Sequence, residues 1–133
     1  MIIKLDWPHT DLSPNSHKHW RIKHGAATVA KEIGRIMTLS ALARERMQLP
    51  DGRIYLSVKF YPPDKRKRDD DNIIASFKHY RDGIAIALGV DDSRFKPTYT
   101  VEDCDGQGGR VEVIFQYNSL PFSEVAPIPE TSL

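Results

Sequence analysis

The run RIYLSVKFY, residues 53–61, constrains the fold more than any other stretch of this 133-residue chain. It alternates without a break, with Ile54, Leu56, Val58 and Phe60 on one side of an extended backbone and Tyr55, Ser57, Lys59 and Tyr61 on the other. Such a strand needs a sheet with one buried face, and an apolar layer to cover it. Pro62 and Pro63 end the strand. The flanking segments offer the cover. In residues 22–47, Ile22, Ala26, Val29, Ile33, Ile36, Ala43 and Met47 follow the three-four spacing of one helix face, which predicts a long helix burying that face. Gly34 weakens this helix modestly, and Pro50-Asp51-Gly52 breaks the chain after it. A second helix is predicted over 71–88, with Ile73, Phe77, Tyr80, Ile84 and Leu88 inward and Gly89 as its stop.

Three further strands complete the pattern. Residues 2–7, IIKLDW, read as a strand stopped by Pro8, and two more are expected near 96–103 and 110–117. The sequence DGQGG at 105–109 predicts a hairpin between these last two. The expected order is β-α-β-α-β-β, an α+β fold in which two main helices pack on a small mixed sheet. Residues 1–117 form one domain, and 118–133, with three prolines, read as an extended or disordered tail.

Composition narrows the class of function. A net charge of +1 leaves no global electrostatic footprint, so any polyanion site must be local. The single cysteine, Cys104, excludes an internal disulfide and a multi-cysteine zinc site, and points to a reducing compartment. No apolar run is long enough to span a bilayer, and MIIKLDWP lacks the basic start of a signal peptide, so a cytoplasmic protein is expected.

The chemistry concentrates in KRKRDDDN, residues 65–72. Lys65, Arg66, Lys67 and Arg68 form the densest basic cluster and suit flanking phosphates. Asp71, Ala75, Lys78 and Asp82 fall on one stripe of the second helix, and Asp69 points to the same side as Asp71 if the approach is extended. Oxygen-only ligands of this kind suit a hard cation such as Mg²⁺, with Lys78 placed to orient water or neutralise developing charge. Asp91 and Asp92 follow the other end of the helix, roughly 25 Å away, so joining them to Asp71 requires a fold-back or a second subunit. Two plainer readings stand beside this one. Aspartates at a helix start serve as caps and complement the macrodipole. Four cations before three anions also make a solvated loop, and KRKR matches the loose pattern of a nuclear-localisation patch.

Arg68-Asp69-Asp70-Asp71-Asn72-Ile73, closed by Val90-Asp91-Asp92, resembles the RusA-type Holliday-junction resolvases. Leu12-Ser13-Pro14-Asn15 followed by Trp20 is similar to that family's loop before the first long helix. The resemblance spans about residues 3–117. It implies a homodimeric, Mg²⁺-dependent endonuclease, with Mn²⁺ as a substitute, that resolves four-way DNA junctions by paired symmetric nicks; members are common in phages and prophages. Carried over by position, Asp69, Asp71 and Asp92 are the metal-site carboxylates and Asp91 is a further candidate ligand. Lys65, Arg66, Lys67, Arg68 and Asn15 are expected at the DNA. Some members carry a catalytic lysine four residues after the second motif aspartate, where this chain has Ala75; Lys78 lies one turn further. Asp70 is expected to face away as a helix cap or solvated charge. The alternatives are a junction-binding module without catalysis, suggested by Ala75, and a structural dimerisation protein.

Other motifs carry less. Asp103-Cys104-Asp105-Gly106-Gln107 lacks the glutamate of a calcium loop, since Ile114 stands at its twelfth position. His17, His19 and His24 lack zinc-ligand spacing and read as surface or DNA-backbone residues. Trp7 and Trp20 read as packing residues, with Trp20 placed to stack on a base.

Overall fold

A computed structural model describes residues 1–14 and 16–116. The chain runs β1 (Ile2–Asp6), a 3₁₀ turn (Thr10–Leu12), α1 (Trp20–Glu45), β2 (Ile54–Tyr61), α2 (Asp70–Ala75), α3 (Lys78–Leu88), a 3₁₀ turn (Asp92–Arg94), β3 (Phe95–Val101) and β4 (Arg110–Phe115). The four strands form one mixed sheet in the order β1-β4-β2-β3. This is the expected α+β class. Tyr117 and the predicted tail at 118–133 lie outside the described residues, as does Asn15.

β2 behaves as its alternation demands. Ile54, Leu56, Val58 and Phe60 are buried, and the opposite face stays partly or fully open. β2 pairs in parallel with β3, Ile54 opposite Phe95, and antiparallel with β4, Val58 opposite Val113. Parallel pairing requires a crossover, which α2 and α3 supply over the buried face. Ile73, Phe77, Tyr80 and Ile84 point into the core as predicted, and Phe77 meets Phe60 edge to face with ring centroids 6.0 Å apart.

Three expectations need correction. The predicted helix over 71–88 is two helices. At Ser76 the backbone N–H is shared between the Asn72 and Ile73 carbonyls, and the Ser76 hydroxyl donates to the Ile73 carbonyl at 2.6 Å. The Phe77 N–H then reaches back only three residues, to Ile74. That tightened turn interrupts the helix, with Ser76 and Phe77 both still in the right-handed helical region.

The predicted hairpin at 105–109 does not form, because β3 and β4 lie on opposite sides of β2. The turn chemistry is real: Asp105 Oδ1 accepts from the Gln107 N–H at 3.0 Å, and Gly106 and Gly108 take φ values of 77° and 89°. The loop instead crosses the end of β2. A Cβ on Gly109 would lie 2.8 Å from Pro63 and 3.0 Å from Trp7, so only glycine lets the backbone pass there.

The buried face of α1 is not the one predicted. Ala30, Gly34, Thr38 and Ala41 face the core, whereas Ile22, Val29, Ile33 and Ile36 stand exposed. The cause is the closeness of α3. A Cβ on Gly34 would sit 3.1 Å from the Tyr80 carbonyl carbon, and one on Gly83 would sit 2.8 Å from the Arg35 amide nitrogen. Backbone lies against backbone at this crossing, so only small residues fit.

Candidate functional site

β2 ends at Tyr61, and the loop after it carries the basic cluster to the start of α2. Asp64 organises the loop. It accepts from the Arg66 N–H at 2.9 Å and pairs with the Arg68 guanidinium at 3.0 Å and that of Arg66 at 3.5 Å. The Arg66 amide, and then the two guanidiniums, hold its carboxyl below the usual carboxylate range.

Arg68 is accordingly not a free cation. Its side chain is 17% exposed, donates to the Asp64 and Arg66 carbonyls, and stands 5.5 Å over the Trp7 ring. Arg66, by contrast, is 75% exposed, and Lys65 and Lys67 make no ion pair among the described residues. The predicted phosphate-binding cluster thus divides into three outward cations and one that braces the loop against Trp7.

Asp69, rather than Asp70, caps α2. Its Oδ1 accepts from the Asp71 N–H at 3.0 Å and its Oδ2 from the Asn72 side-chain amide at 3.4 Å. Asp69, Asp70 and Asp71 all remain exposed. Asp69 lines a cavity of about 230 Å³ with Trp7, His9, Arg68, Asn72 and Ser76. Asp70 lines a wider cleft of about 610 Å³ with Lys65 to Arg68 and Cys104. Trp7 could not be found as a site residue from the sequence. Its partner Arg68 lies far along the chain, and the sheet brings the two segments together: Asp6 and Tyr61, the ends of β1 and β2, both pair with Arg110 of β4, and Gly109 packs against Trp7 and Pro63.

Asp92 belongs to another part of the molecule. It follows α3, and its carbonyl accepts from Arg81 at 3.1 Å. Arg81 also meets the Tyr99 hydroxyl at 3.5 Å and lies over Phe95. Asp91 caps the 3₁₀ turn through the Ser93 N–H at 2.8 Å, a bond that lowers its pKa. Among the described residues, no group of three or more His, Cys, Asp or Glu side chains is arranged to hold a metal ion. Asp69 and Asp71 both stand at the start of α2, where the Asp69 carboxylate accepts from the Asp71 backbone N–H, and Asp92, beyond α3, does not join them.

Lys78 opens α3 and pairs with Asp82 at 3.6 Å. With Ala75 and His79 it lines a third cavity, about 300 Å³, shared with Asp11, Ser13 and Lys23. Asp11 is buried there, its Oδ1 ion-paired with Lys18 at 3.2 Å without hydrogen-bond alignment. His19 holds the start of α1, where its Nδ1 accepts from the Arg21 N–H at 3.1 Å as the helix cap. Trp20 is 65% exposed and so does not pack in the core.

The chemistry of the exposed carboxylates at the start of α2 is that of hard oxygen donors, and Mg²⁺ is commonly anchored by one or two carboxylates while keeping several waters; both Asp69 oxygens already accept, from the Asp71 N–H and the Asn72 amide. Among the described residues, no helix is long and apolar enough to cross a membrane. No family model matches the chain. It is 42% identical over 112 residues to a protein of Xylella fastidiosa (strain Temecula1 / ATCC 700964) whose name reads "Uncharacterized protein"; the match covers 84% of this chain and 72% of that one. At that identity and coverage, the chain belongs to the same family as the Xylella fastidiosa protein.

Proposed function

We propose that this protein is a Mg²⁺-dependent endonuclease of the RusA type, acting on four-way DNA junctions in the cytoplasm as a homodimer. One observation carries the reading: the outward cations Lys65, Arg66 and Lys67 lead directly into the exposed carboxylates of Asp69 and Asp71. Cations for a DNA backbone beside hard oxygen donors are what metal-assisted phosphodiester hydrolysis needs. Asp69 and Asp71 would hold the ion, which would polarise a phosphoryl oxygen and acidify bound water. Lys65, Arg66 and Lys67 bind the flanking phosphates and set the strand against the start of α2. Arg68 keeps that loop in register through Asp64 and Trp7. Lys78 neutralises charge on the leaving strand, and Asp92 is the third carboxylate, supplied by rearrangement on DNA or by the second copy.

Ala75 and the separation of Asp92 favour a second reading, a junction-binding module without catalysis. Nicking of a synthetic four-way junction in Mg²⁺ by wild type and Asp71→Asn separates the two. The nuclease reading expects nicking by wild type alone, with binding kept or tightened in the variant because a carboxylate facing phosphate is removed. Equal nicking by both proteins would remove Asp71 from the site. Intact, salt-sensitive binding without nicking would favour the binding module.

A further inference from the structure

α1 has two apolar faces, and its own core uses only the small one. The large side chains Ile22, Val29, Ile33 and Ile36 are 50%, 58%, 39% and 49% exposed. Of the ten large hydrophobic residues that stand exposed among the described residues, seven lie on this helix, Trp20, Met37 and Leu39 being the others. Apolar residues scattered over a surface are ordinary; a band of them on one helix marks an interface.

The spacing of the band identifies its occupant. Ile22, Ala26, Val29, Ile33, Ile36 and Ser40 advance by alternating steps of four and three, the 3.5-residue repeat of a coiled-coil seam. Such a seam fits a helix of the same repeat, and α1 itself carries one. We propose that α1 docks antiparallel on α1 of a second copy of this chain, about a two-fold axis between Val29 and Ile33.

Reversing the seam about that axis sets Val29 against Ile33, Ala26 against Ile36 and Ser40 against Ile22. Large residues then meet at the centre, and each outer large residue meets a small one, so the surface is complementary to itself, as a two-fold interface requires. Met37 of the partner subunit falls beside Ala26, where a groove of about 450 Å³ runs between α1 and a wall made by Trp7 and Leu12. Glu32 and Arg35 pair with each other at the edge of the seam, so these two bring no uncompensated charge to the interface, and Arg21, which lines the groove, lies over the Trp20 ring. The seam alone is a band about 27 Å long and 10 Å wide, less than the roughly 800 Å² per partner of a stable dimer. The groove and its aromatic wall extend it.

This assembly deepens the two-copy element of the proposed function and rests on that reading for its purpose, though not for its evidence. The test therefore omits DNA and metal. Sedimentation equilibrium of the full chain should give twice the 15.2 kDa chain mass. Ile33→Glu should weaken the dimer by about 100-fold or more while leaving circular dichroism unchanged, because Ile33 is outside the core. In a Cys104→Ser background, Ala26→Cys mixed with Ile36→Cys should cross-link on oxidation, and neither should link to itself. A monomeric wild type, a dimer indifferent to Ile33→Glu, or self-linking of Ala26→Cys would each overturn the inference. A protein that dimerises this way but does not nick junctions would defeat the nuclease reading alone.

Discussion

Gly83→Ala tests how the two long helices are held. In an exposed helix, replacing glycine with alanine gains about 1 kcal/mol from backbone entropy. At Gly83 a Cβ would stand 2.8 Å from the Arg35 nitrogen and 2.9 Å from the Lys31 carbonyl carbon, with the Lys31 oxygen nearer still. These are backbone atoms of α1 and cannot rotate aside. The helices must separate by on the order of 1 Å, which loosens Gly34 against Tyr80 and the packing beneath. Overpacking of this kind costs about 1–3 kcal/mol, and more where backbone must move, so a net loss of about 2 kcal/mol is expected after the propensity gain. That corresponds to a fall in Tm of about 8 °C for a domain of this size. Gly25→Ala is the internal control. No atom lies within 4 Å of its Cβ, so the same substitution in α1 should be neutral or stabilising. Urea unfolding followed by circular dichroism measures both. A Gly83→Ala protein as stable as the Gly25→Ala protein would refute the close crossing of α1 and α3.

Two further predictions concern charged side chains. Asp69→Asn keeps an N-cap of equal quality and removes a proposed metal ligand, so under the nuclease reading it should abolish Mg²⁺-dependent nicking while changing stability by less than about 0.5 kcal/mol; Asp69→Ala should lose about 1 kcal/mol as well, by chemical denaturation. Hydrogen bonds from Arg110, then from the Gln107 N–H, lower the Asp105 carboxyl from 3.8 to about 2. A carboxylate depressed in the folded state stabilises above its ordinary pKa and loses that contribution as pH falls through the depressed one, so the Tm difference between wild type and Asp105→Asn should be full near pH 5 and vanish between about pH 4 and 2.

The legible parts of this fold are those decided by local pattern. The alternation of Ile54 to Phe60 announces a half-buried strand, and the structure buries that face. The spacing of Ile73, Phe77, Tyr80 and Ile84 survives the break at Ser76, since the tightened turn keeps all four inward. The two substantial misreadings have non-local causes. Periodicity shows that α1 is amphipathic, but which apolar stripe it buries depends on how closely α3 approaches. Only the packed pair reveals that Gly34 and Gly83 are needed at the crossing. Likewise DGQGG specifies a turn, while the partner of β4 is chosen by the sheet, and β2 takes the place between β3 and β4. In the candidate site, the DDDN motif locates the carboxylates at a helix start. It does not show that Asp69 is committed to the cap, or that Arg68 is bound to Trp7. Those assignments depend on side-chain hydrogen bonds and on the strand pairing that sets the ends of β1 and β2 on either side of Arg110.

The most direct test of the nuclease reading is cleavage of a synthetic four-way junction beside a linear duplex of the same sequence, in Mg²⁺ and at moderate salt. Paired nicks are predicted at symmetry-related positions in the junction, none in the linear duplex, with cleavage lost when the metal is chelated. Absence of nicking in both Mg²⁺ and Mn²⁺, or equal nicking of both substrates, would contradict that reading.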